Sequence, residues 1–264
     1  MVLRRCLKAS LAALAAAVLL ACAAPPAEEA TGSDQGHWDS ADGNPTHPTH
    51  SILAEYAIGT VKAESPEVSR FEAAIVEGAN LELHDLKHPK YEALRLEIGG
   101  NNWAADHPEL LWEKARASYA AGDAAKAYFY VGILLHYVQD MGVPAHAFHV
   151  IHQSGPSSWD HVELLAFFQF HGDLKAPGPT DPALETPVEY LEWSAQTARD
   201  HFKSSYPGKT YDRKFFPQAY DAMTEVDWAF LREREAHCAN ATAFALRAAA
   251  HAFAALAPAP PPGD

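Results

Sequence analysis

Residues 124–142 read AAKAYFYVGILLHYVQDMG, with apolar side chains on nearly every side of the helix this spacing predicts. Such a helix is stable only when other elements surround it, so the chain must build a core around this segment. Two ionisable residues, His136 and Asp140, sit four apart in it and therefore share one face. An ionised carboxylate buried without a partner costs several kcal/mol or more. A buried His–Asp hydrogen bond is one partner; a metal ion is another. Imidazole plus carboxylate on one face makes half of a zinc site.

The residues that follow favour the metal. Residues 136–161, HYVQDMGVPAHAFHVIHQSGPSSWDH, hold five of the chain's 15 histidines. Gly142 and Pro144 are expected to end the helix, and His146 follows ten residues after His136, where the chain can turn back towards the same centre. His161 stands at the start of the next apolar stretch, HVELLAFFQF. Nitrogen and carboxylate donors without an available cysteine suit zinc.

Around this helix the pattern is helical throughout, and stretches that alternate as strands do are nearly absent. A helix starts near Thr49. SPEVSRFEAAIVEGA has Ser65 as its expected cap and Pro66 at its first position. Another helix runs from Pro108 to a turn at Gly122. Thr186, Pro187 and Glu189 open one that reaches about Lys203 through a capping box. From about Pro217 to Leu256 the Ala-rich pattern holds two helices or one kinked helix. The fold class is all-α: one multi-helix domain over about residues 37–257, with metal between its helices and a frayed tail over 258–264.

The N-terminus reads as a secretory signal over residues 1–22. Arg4, Arg5 and Lys8 precede an apolar stretch from Leu11 to Ala21, too short and Ala-rich for a membrane span. LLAC, ending at Cys22, is similar to a bacterial lipobox, with ordinary cleavage nearby as the alternative. Residues 23–36 form a linker. A secreted or cell-envelope protein of a bacterium, anchored by lipid in the second case, is the expectation. Only Cys238 then remains in the mature domain, so no internal disulfide is available. The 20 Lys and Arg stand against 34 Asp and Glu, a formal net charge of −14. Such a balance disfavours extended nucleic-acid binding, which depends on cations facing phosphates.

HYVQDMGVPAH resembles the central motif of the zinc-dependent phospholipases C and the related single-strand nucleases: His, three residues, Asp, five residues, His, with Pro two before the last His. The match falls at His136, Asp140, Pro144 and His146. The resemblance implies a helical protein with up to three zinc ions, in which Asp140 bridges two and His146 belongs to the third, with His161 as that ion's next ligand. It also implies an N-terminal tryptophan and a histidine some ten to thirteen residues later; Trp38 and His50 fill those places, with His47 ranked second. An upstream acidic ligand and a histidine fall to Asp85 and His88, ahead of Asp106 and His107. Asp85 is also the group expected to orient water or take its proton, so Asp85 and Asp140 are the expected catalytic residues. The implied activity is phosphodiester hydrolysis by metal-activated water, on phospholipid at a membrane surface.

Three positions depart from the family pattern. Trp38 lies well inside the chain if Cys22 becomes the mature end, which locks its α-amino group in a peptide. Leu83 stands where the upstream acidic ligand falls by counting. Leu165 stands where the last acidic ligand belongs, which leaves Glu163, or His149 or His152, to serve. The DxGGN-like segment and the disulfides of the nuclease branch are missing, which favours lipid as substrate. A helical surface lipoprotein with a partial zinc site and no catalysis is the reading from another class.

Overall fold

The computed structural model describes residues 49–81, 108–150, 179–217 and 220–256. Eight α-helices and no strands occur among them, so the fold is all-α, as the pattern implies. They are α1 (Thr49–Val61), α2 (Glu67–Arg70), α3 (Glu72–Ala79), α4 (Pro108–Ala120), α5 (Ala124–Met141), α6 (Pro144–Ala147), α7 (Pro187–Ser205) and α8 (Glu225–Leu256).

Helix α5 is the axis of the bundle. It packs against α1, α3, α4, α7 and α8, and from Tyr130 to Gln139 every residue is buried. This is the enclosure that an all-round apolar helix demands. Asp123 opens it, its carboxylate accepting from the Lys126 amide. Tyr128, Tyr130, Leu134 and Val138 join Ile75, Leu111, Leu246 and Phe253 in the main core. Each large apolar side chain so buried contributes about 1.5–3 kcal/mol.

The contact between α3 and α5 is set by two glycines. A Cβ on Gly78 would lie 2.2 Å from the Phe129 carbonyl oxygen, and one on Gly132 would lie 2.2 Å from that of Ile75. No side chain fits at either place, so the two backbones touch directly. A second cluster brings together Leu53, Phe202, Tyr211, Phe216, Phe230 and Leu231.

Several local expectations need correction. Ser65 does not cap with its side chain: Pro66 holds the N-cap position of α2, and the Val68 amide donates to the Ser65 carbonyl. The predicted continuous helix breaks at Phe71, whose φ of −115° and ψ of 18° leave the helical region and divide α2 from α3. Gly142 ends α5 in ordinary right-handed geometry (φ −72°), and Pro144 opens α6 at its first turn. The Ala-rich stretch is one 32-residue helix that starts at Glu225. Its start carries a signal passed over in the sequence: the Asp227 carboxylate accepts from the Thr224 amide at 2.8 Å, and the Thr224 hydroxyl accepts from the Asp227 amide at 3.2 Å. The Thr186–Glu189 capping box on α7 and the left-handed turn at Gly122 (φ 86°) are present.

Candidate metal centre

His50 is the second residue of α1, and His136 and Asp140 project from the last two turns of α5. The three converge: His50, His136 and Asp140 each offer a ligand atom within 4.8 Å of the others, a buried group that could hold one metal ion. His50 Nε2 lies 3.6 Å from Asp140 Oδ1, and His136 Nε2 lies 3.3 Å from Asp140 Oδ2. The two imidazoles stack at 4.1 Å between ring centres. His146, on α6, brings its Nε2 to 3.9 Å from Asp140 Oδ1 and is the more open of the three histidines.

The backs of the two stacked rings explain which nitrogens face the carboxylate. His136 Nδ1 lies 2.9 Å from the carbonyl oxygen of Ala79. A carbonyl can only accept, so Nδ1 carries the hydrogen. Ala79 ends α3, and its carbonyl has no partner within that helix; the imidazole supplies one. The Gly78–Gly132 approach is what brings this helix end over α5, one turn before His136. His50 Nδ1 is paired in the same way with Oε1 of the buried Gln139. Each ring thereby turns its Nε2 towards Asp140.

The electrostatics then call for a cation. Burial, reinforced by His136, lowers the pKa of His50 to about 3, although Asp140 pulls the other way. His50 is therefore neutral, and its Nε2 lone pair faces a carboxylate oxygen. Burial by itself would raise the pKa of Asp140; the positive charge that the imidazoles carry when protonated, His146 first and then His136 and His50, holds it well below the ordinary carboxylate range instead. The spacings agree with a shared ion. Two atoms each about 2.1 Å from a tetrahedral ion stand about 3.4 Å apart, close to the 3.3 and 3.6 Å seen here. Hydrogen bonds of an imidazole N–H to a carboxylate are normally shorter, about 2.7–2.9 Å.

The end of α5 is held from behind. Ser194 Oγ donates to the Val138 carbonyl at 3.0 Å, the Cys238 thiol reaches the Gln139 carbonyl at 3.6 Å, and Arg234 Nε donates to the Gly142 carbonyl at 2.9 Å. Helices α7 and α8 thus add side-chain donors to carbonyls at the end of α5, of which the Gln139 carbonyl also accepts from the Gly142 amide, and they hold the turn that carries Asp140. Cys238, the cysteine expected to remain in the mature domain, is buried and free.

Of the expected ligands, His50, His136 and Asp140 are brought together, with His146 beside them. Trp38, Asp85, His88, His161 and Glu163 lie outside the described residues, as do the alternatives His47, Asp106, His107 and His152 and the positions Leu83 and Leu165. His149 is exposed, at a positive φ of 53°, and is not part of the cluster. Sequence reasoning missed Gln139 and the Ala79 carbonyl. Gln139 carries a signal in hindsight, an amide inside an apolar run beside a ligand; the Ala79 carbonyl carries none. No family model, no curated protein and no solved structure matches the chain.

Proposed function

We propose that this protein is a zinc-dependent phosphodiesterase of the phospholipase C kind, acting on phospholipid at a membrane surface. The observation that carries the reading is the pair of backed imidazoles: His50 and His136 both present Nε2 to the Asp140 carboxylate, with Nδ1 held by carbonyl oxygens. That orientation, with the outer nitrogen held by an acceptor, is the habit of metal-binding histidines. The donor set of two imidazoles and one carboxylate leaves a coordination position open, as catalytic zinc sites do. Zinc bound there would polarise a phosphate ester and lower the pKa of a water molecule towards neutrality.

That arrangement supports the roles of His50, His136 and Asp140, and the resemblance supplies those of the other residues. His50, His136 and Asp140 hold the principal ion, and Asp140 faces a second position towards His146. His146, with His161 and Glu163, holds a further ion, and Asp85 with His88 completes the set, Asp85 serving as the acid–base group. The resemblance carried by the motif HxxxDxxxxxH supports up to three zinc ions. The basic, apolar N-terminus ending at Cys22 supports delivery to a bacterial cell envelope or beyond it. No helix among the described residues is long and apolar enough to cross a membrane.

Metal content and turnover of the purified mature protein test this together. Two or three zinc ions per chain, with hydrolysis of phosphatidylcholine and a chromogenic phosphocholine ester that Asp140→Asn abolishes, is the expected result. One ion or none, with no hydrolysis, would leave a helical scaffold and overturn the enzyme reading. Cleavage of single-stranded DNA in preference to phosphatidylcholine would move the substrate to nucleic acid.

A further inference from the structure

Helices α7 and α8 border a cleft of about 750 Å³ whose lining includes Arg234, His237, His201, Arg232 and Glu233. None of the proposed metal ligands lines it. Its most unusual member is Arg234. The residue is only 3% exposed. One nitrogen, Nε, donates to the Gly142 carbonyl, while Nη2 is buried with no hydrogen-bond partner. No carboxylate forms an ion pair with it among the described residues. A guanidinium is rarely buried in this state, because desolvating a charge and an N–H without compensation is costly.

His237 is 3% exposed, and burial, followed by Arg234 and His201, holds its pKa well below the usual histidine value. Its Nε2 lies 3.3 Å from Ser194 Oγ, whose own hydrogen goes to the Val138 carbonyl. His237 therefore donates to that oxygen. His201 is tied to Glu233, Nε2 to Oε2, at 2.9 Å. Glu233, which favours the Arg234 charge from a distance, is thus itself engaged by His201, and no carboxylate among the described residues bonds directly to the guanidinium.

We infer that this cleft binds a small organic molecule through a single oxyanion group, carboxylate or phosphate, which pairs with the Arg234 guanidinium. Arg suits this role because its planar fork matches two oxygens at once. The volume exceeds that of one oxyanion, so the group belongs to a larger ligand, whose remainder meets the Thr197 and Ser204 side chains. Asp200 and Glu233, also in the lining, repel long polyanions and restrict the ligand to a molecule of low total charge. The inference is independent of the metal-centre reading, since the two sites share no residue.

Equilibrium dialysis of the full chain, stripped of metal by a chelator, against inorganic phosphate and separately against acetate tests it. At least one of the two anions is expected to bind at a single saturable site. Binding weakens about tenfold or more in Arg234→Gln and in Arg234→Lys, which keeps the charge but not the fork. Asp140→Asn leaves it unchanged. Phosphate alone binding selects a phosphate ester as the ligand class; acetate alone selects a carboxylate. Should Arg234→Gln fail to fold, the wild-type isotherm and Arg234→Lys still decide. Absence of saturable binding of either anion to the wild-type chain overturns the proposal. Equal binding by the Arg234 variants, or loss in Asp140→Asn, overturns it as well, the latter by assigning the anion to the histidine cluster.

Discussion

His50 and His136 are aimed by acceptors of different origin, a side-chain amide for one and a helix-end carbonyl for the other. The amide can be removed by mutation. Gln139→Leu takes away the acceptor that holds His50 Nδ1, and zinc affinity is expected to fall about 10–100-fold, read by competition with a chromophoric chelator. Gln139→Glu keeps an acceptor there and is expected to retain affinity. A parallel loss in both variants would mean that residue 139 acts by packing alone. A second titratable group gives a pH signature. Burial raises the pKa of Glu235 from 4.5 to about 7, against the smaller pull of Arg232. The folded protein then holds a proton that the unfolded chain has already released, so this contribution to stability is full below pH 4.5 and is lost as pH rises through about 7. Glu235→Gln is expected to stabilise by about 1–3 kcal/mol near pH 8 and by little near pH 4. Urea denaturation at the two pH values checks it, and an equal effect at both would refute the burial argument. Of these residues, His136 and Asp140 were legible from an interval of four on a helix. Gln139 was marked only by being an amide inside an apolar run, with no spacing that tied it to His50.

The helices themselves give the next level. The α3–α5 contact depends on two glycine positions, and a methyl group at either meets backbone that cannot swing aside. Gly132→Ala is expected to cost about 1–3 kcal/mol in urea denaturation. It should also weaken zinc binding, since the same contact places Ala79 behind His136. Loss of stability with unchanged zinc affinity would separate the two effects. Thr186→Ala removes the side-chain cap of α7 and is expected to cost about 1 kcal/mol; there the zinc site should not respond. The capping box at Thr186 was readable because Thr, Pro and Glu stand at fixed offsets from the helix start. The break at Phe71 was not readable, since nothing in SRFEAA departs from helical composition. The residue leaves the helix where its ring stacks on Tyr128 of α5 at 5.1 Å, a demand of packing rather than of propensity.

For the molecule as a whole, the histidine cluster couples metal to folding. Its donors come from α1 and α5, far apart in sequence, and an unfolded chain does not hold them together. Zinc at about 100 times its dissociation constant is expected to stabilise the fold by about 2.7 kcal/mol, and chelation to reverse this. Differential scanning calorimetry of Asp140→Asn should show neither effect; a zinc-dependent shift that survives this substitution would place the ion elsewhere. The all-α class, most helix limits and the pairing of His136 with Asp140 follow from intervals along the chain, because helical periodicity is a relation between near neighbours. Tertiary packing decided the rest. It brought His50 onto Asp140, set a helix-end carbonyl behind His136, and buried the Arg234 guanidinium without a direct ion pair among the described residues. Those relations join residues tens of positions apart, and only the close approach of particular backbones brings them into reach.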